Sequence, residues 1–102
     1  MPRLDQLLEL LKTDENDSFV RYGVAMELAK AGRFDESLAQ FTELLKRDPK
    51  YVPGYFMMGR TYEQAGDSAA AKDTYTRGIA VAKQVGDLHA AGEIQQALDI
   101  LS

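Results

Sequence analysis

An internal repeat constrains this chain more than any other feature. Displaced by 34 residues, the sequence matches itself: Ala31 and Gly32 fall on Ala65 and Gly66, Phe41 on Tyr75, Thr42 on Thr76 and Leu45 on Ile79. Displaced the other way, ELLK at 9–12 falls on ELLK at 43–46, and Asp14 on Asp48. A period of this size marks an array whose units cannot bury their apolar faces alone and must stack on like neighbours. Since 9–12 matches the latter half of a unit, the chain opens on half a repeat.

Helical spacing and breakers then divide the chain into about six helices. Pro2 suits a first turn, where its missing N–H costs nothing. Leu4, Leu7, Leu8 and Leu11 form one stripe of a helix near 3–12. Asp17 is placed to cap a second helix, about 18–31, whose expected core set is Val20, Val24, Leu28 and Ala31 and which stops at Gly32. A third, about 35–47, stops before Pro49; a fourth, about 52–65, stops at Gly66. Asp67 caps a fifth reaching Val85, and Gly86 and Asp87 stop it and start a last helix that buries Leu88, Ala91, Ile94, Leu98 and Leu101. No segment alternates with a strand's period. The expected fold class is all-α, in one domain, 1–102. Its parts are a half-repeat helix and loop (3–17), two full repeats (18–51 and 52–85) and a capping helix (86–102).

Composition narrows the function. A chain of 102 residues with 45% hydrophobic and 27% charged residues builds one packed core. The net charge of −4 opposes nucleic acid and anionic membranes, and the cations Lys46, Arg47 and Lys50 sit where a helix C-terminus attracts positive charge. The absence of cysteine removes disulfides and thiolate chemistry and fits the cytoplasm. The opening segment carries Asp5 and Glu9 and reads as neither a signal peptide nor a membrane span.

The residues 55–62, YFMMGRTY, place an aromatic, a large apolar residue followed by a small one, and a second aromatic at Tyr55, Met58, Gly59 and Tyr62; Ala71 and Tyr75 follow on the next helix. In this pattern 18–85 resembles two tetratricopeptide repeats, each a pair of antiparallel helices, and the resemblance implies an all-α superhelix of antiparallel helical hairpins. The earlier repeat has Arg21, Val24, Ala25, Leu28, Ser37 and Phe41, then Pro49. It departs from the family in Arg21, where an aromatic belongs; the later repeat has Lys83 in place of the terminal proline. Small residues at Ala25 and Gly59 are expected to let the paired helix approach closely, so a bulky side chain at Gly59 should overpack the core.

Subtracting the core stripe leaves Phe19, Tyr22 and Met26 on another face of the second helix, and Phe56, Met57 and Arg60 on the fourth. The resemblance implies that this face lines the inside of the superhelix as a groove for a peptide or helix of a partner protein. Phe19, Tyr22, Met26, Phe56 and Met57 would form its floor, and Arg60 would serve a carboxylate or carbonyl. Three other uses of the same side chains stand beside this one: coverage by the last helix, pairing with a second copy as a homodimer, and a scaffold role without a peptide ligand. A family subclass grips chaperone C-termini with Lys, Asn and Arg. Tyr22, Met26 and Met57 occupy the matching places, so no such peptide is expected to bind.

No enzyme is expected. The one histidine, His89, lies in the first turn of the last helix. Ser18, Ser37, Ser68 and Ser102 have no activating base that spacing reveals. Asp14, Asn16 and Ser18 begin like a calcium loop, but Phe19 stands where its glycine belongs and Ala25 where its closing glutamate belongs. No metal, phosphate-binding loop or cofactor is implied.

Overall fold

The computed structural model describes residues 2–101. Six helices follow one another: α1 (Pro2–Thr13), α2 (Ser18–Lys30), α3 (Phe34–Arg47), α4 (Val52–Gln64), α5 (Ser68–Gln84) and α6 (Leu88–Leu101). No strand occurs among the described residues. Each helix packs on its successor, and beyond these neighbours only α2 with α4 and α4 with α6 meet, so α2, α4 and α6 form one wall of a stack of hairpins.

Local chemistry sets the breaks. Gly66 and Gly86 adopt φ of +86° and +81°, which a side chain would strain. In the first of these turns Gly66 N–H donates to Glu63 O and Asp67 N–H to Tyr62 O, satisfying the last carbonyls of α4. Asp67 also begins the next helix, its carboxylate accepting from Ala70 N–H at 3.1 Å. Asp87 does the same for α6, donating to Ala82 O and accepting from Ala90 N–H. One Gly-Asp pair thus ends a helix and starts its antiparallel partner.

The core is three clusters in series. Leu4, Leu11, Val24 and Leu28 join α1 to α2; Ala25, Phe41, Leu44, Leu45, Tyr55 and Met58 join α2, α3 and α4; Val52, Ala71, Tyr75, Ile79, Ala82, Ala91 and Ile94 join α4, α5 and α6. The close approaches expected at the small residues are present. A Cβ on Gly59 would lie 2.2 Å from the ring of Tyr75, and Ala25 and Phe41 are both fully buried.

Arg21 takes over the missing aromatic's task. Its side chain is buried, donating from Nη1 to Gln40 Oε1 at 2.8 Å and from Nη2 to Glu15 O at 2.9 Å. One repeat later the Tyr55 hydroxyl donates at 2.7 Å to Pro49 O, and Pro49 is the repeat equivalent of Glu15. Both side chains, on the first helix of a hairpin, tie down the same point of the loop before it.

Three core expectations are corrected. Ala31 is the C-cap of α2 and exposed: its N–H still donates to Glu27 O, but it closes the last turn just before Gly32 turns the chain away, with no helix packed over it. Leu8 turns outward, since α1 meets only α2 and one stripe suffices for that contact. Leu88 is 70% exposed on the first turn of α6, ahead of the Ala91 and Ile94 face that packs.

Candidate partner-binding groove

Between α2 and α4 the wall is hollowed into a concavity of about 500 Å³. Phe19, Tyr22 and Met26 line it from α2, Met57 and Arg60 from α4, so five of the six side chains left over by the core stripe share one surface. Phe19 is 73% exposed. Tyr22 is half-buried, its ring edge-on to Phe41 at 6.3 Å between centroids and tilted on Tyr51 at 5.6 Å. Burial raises its phenol above the ordinary value of 10.0, so the ring stays neutral at physiological pH. Met26 and Met57 rest against the α2–α3–α4 core with part of their surface in the groove.

Phe56 does not join them. It packs against the cluster of α4, α5 and α6, with its ring 6.3 Å from that of Tyr75, and lines two shallower hollows beside α6. The inner face of α4 has two flanks: Met57, Thr61 and Gln64 look toward α2, and Phe56 and Glu63 look toward α6. Arg60 stands on the ridge between them and lines both sides. The last helix therefore stands beside a partly buried Phe56 and contributes nothing to the α2–α4 groove.

Spacing missed part of the lining. Leu7 and Arg3 arrive from α1, and Gly23 makes room for Leu7: a Cβ there would stand 3.3 Å from it. Arg3 Nε pairs with Glu27 at 2.6 Å, and the Glu27 side chain is only 14% exposed. Lys30 lines the same groove and continues the stripe 19, 22, 26 by one more turn, a signal present in the sequence. Among the described residues no ion pair engages Lys30 or Arg60.

The tetratricopeptide-repeat family model matches residues 28–91. The chain belongs to the tetratricopeptide-repeat family. A tetratricopeptide repeat domain protein from Salinibacter ruber, solved by solution NMR, is 37% identical with a TM-score of 0.82, over 87% of this chain and 90% of that one. A TPR repeat-containing protein of Pseudomonas aeruginosa is 26% identical over 91 residues, 89% of this chain and 87% of the relative. The chain also resembles YrrB, described as a TPR protein with an unusual peptide-binding site, at 26% identity and a TM-score of 0.79, covering 91% of this chain and 46% of that one. Tetratricopeptide repeats are typically protein-interaction modules without catalytic activity. His89 is an exposed side chain of α6 facing Glu93 at 3.2 Å. No described helix is long and apolar enough to cross a membrane.

Proposed function

We infer that this tetratricopeptide-repeat chain is a docking module that holds a segment of a partner protein in the groove between α2 and α4. The observation that carries this reading is apolar surface left open where a stack needs none: Phe19 stands 73% exposed at the edge of a hollow floored by Tyr22, Met26 and Met57. Methionine and aromatic side chains adapt to a ligand's shape at little cost. That YrrB carries a peptide-binding site on the same fold supports the reading.

The test is affinity capture from native extract by the wild-type chain and by Phe19→Glu. Phe19 is the better control than Tyr22 or Phe56, because both of those also pack in the core. Partners held by the wild type and lost with Phe19→Glu, at unchanged thermal stability, are the expected result. Partners retained by the variant would remove the groove from the account.

A further inference from the structure

We propose that the segment held in the α2–α4 groove is acidic as well as apolar, with its apolar side chains over Phe19 and Tyr22 and its carboxylates against Lys30 and Arg60. This rests on the docking reading above and names the chemistry of the partner. Phe19 and Lys30 lie about three turns apart on α2, roughly 16 Å at 1.5 Å per residue. Met57 and Arg60 follow one another in the same direction on α4, which repeats α2 one unit later. The groove therefore has an apolar end at the start of α2 and a cationic part that begins at Arg60, the repeat equivalent of Met26, and extends one turn further to Lys30 at the end of α2. Roughly five residues of extended chain at about 3.3 Å each cover the distance between the ends.

The charge balance decides the sign of the ligand. The chain as a whole carries −4. Yet Glu27, the only carboxylate among the described residues that line the groove, is held by Arg3 at 2.6 Å. Among the described residues neither Lys30 nor Arg60 has a carboxylate within ion-pair distance, although Glu63 and Glu93 line the α6 flank beside Arg60. A basic segment would meet two unpaired cations; an acidic one would pair with both. The apolar floor beside them separates such a partner from a polyanion such as nucleic acid, which has no apolar side chains to place there. In the hollow between α4 and α6 two carboxylates, Glu63 and Glu93, face the single cation Arg60 beside Phe56, so the excess of positive charge belongs to the α2–α4 groove and not to the whole wall.

A displayed library of random twelve-residue peptides, selected on three forms of the whole chain, tests this. The forms are the wild type, Phe19→Glu, and the double charge reversal Lys30→Glu/Arg60→Glu. Peptides that bind the wild type and lose at least about tenfold in affinity with Phe19→Glu are expected to carry Asp or Glu close to Leu, Ile, Phe or Met. With the double reversal, the same positions are expected to select Lys or Arg, and added salt to weaken wild-type binding. Phe19-dependent peptides with no acidic bias, or with the same composition on both charge forms, would overturn the charge assignment while leaving the docking reading intact. If no selected peptide depends on Phe19, both fall. Sedimentation of the wild type at twice the chain mass, returning to one chain mass with Phe19→Glu, would assign the groove to a second copy and equally overturn the proposal.

Discussion

The contact most open to a decisive test is that between Gly59 and Tyr75, because the same substitution elsewhere in the chain should act with the opposite sign. A Cβ on Gly59 would lie 2.2 Å from Cε1 of Tyr75, 2.6 Å from Cδ1 and 2.8 Å from Cζ. The ring cannot step aside. It is fully buried, its hydroxyl donates to Glu63, and Phe56 stands edge-on to it. Replacing a glycine inside a helix by alanine gains about 1 kcal/mol of helix propensity, whereas overpacking a filled site costs about 1–3 kcal/mol. With an overlap this deep the cost belongs at the upper end, for a net loss of about 2 kcal/mol in Gly59→Ala. Gly92 lies inside α6 with nothing within 4 Å of the place its Cβ would occupy. Gly92→Ala should therefore stabilise by about 0.5–1 kcal/mol. In a domain of this size 1 kcal/mol moves Tm by roughly 4–8 °C, so the two variants should separate by well over ten degrees in thermal unfolding followed by circular dichroism. The unfolded chain loses similar freedom in both, so the contrast isolates the folded-state contact. A Gly59→Ala protein as stable as the wild type, or shifted in the same direction as Gly92→Ala, would refute the account of how these hairpins close.

Burial, and then the hydrogen bond to Glu63, hold the Tyr75 phenol above its ordinary value of 10.0. The unfolded chain releases this proton near pH 10 while the folded one retains it, so stability should be intact below pH 10 and fall as pH rises beyond it; Tyr75→Phe should flatten that fall in urea titrations at successive pH values. Arg21→Ala should cost about 1–3 kcal/mol by leaving the Gln40 and Glu15 acceptors short of a donor, and Arg21→Lys should recover little, since a single ammonium cannot span both. Phe19→Glu should leave Tm within about 1 °C of the wild type, because the side chain is exposed, leaves the Asp17 cap to Val20 N–H in place, and puts its carboxylate in the first turn of α2, where the helix dipole favours negative charge.

The fold was legible because its signals are local and occur more than once. Gly66 with Asp67 and Gly86 with Asp87 announce a stop and a start in adjacent letters, and the helices begin and end within about two residues of where those letters place them. The small-then-aromatic pattern of Gly59 and Tyr75 reads as a close approach for the same reason. Leu8 and Leu88 misled because apolar periodicity records which faces a helix is able to bury: α1 has a neighbour on one side only, and Leu88 stands on the first turn of α6 ahead of the Ala91 and Ile94 face that packs. Arg21 was less legible still. A charged residue in an aromatic's place reads as a departure until the geometry shows that both kinds of side chain bond to the same loop position, a requirement for a donor more than for a ring.

The groove was only half legible, and the residues show why. Helical spacing separates the inner face of α4 from its core face, but Phe56 and Met57 are adjacent on that inner face and differ only in which flank they serve. Which flank stays open depends on what stands beyond it. On the α6 side Phe56 packs against the cluster that holds Ile94, while on the α2 side the two helices leave a hollow that α1 enters only with Arg3 and Leu7. The same reasoning explains Arg3. Its one role visible in the structure is to neutralise Glu27 from another helix, a pairing invisible to any periodicity, and without it the groove would hold a free carboxylate beside Lys30 and Arg60. Arg3→Ala should then leave stability nearly unchanged, as the pair's arginine is largely exposed, and weaken the groove's preference for acidic over neutral peptides by freeing Glu27. A variant that kept the full acidic preference, measured by fluorescence anisotropy on a peptide pair differing only in those charges, would show that Glu27 is electrostatically silent and that Lys30 and Arg60 alone set the field of the site.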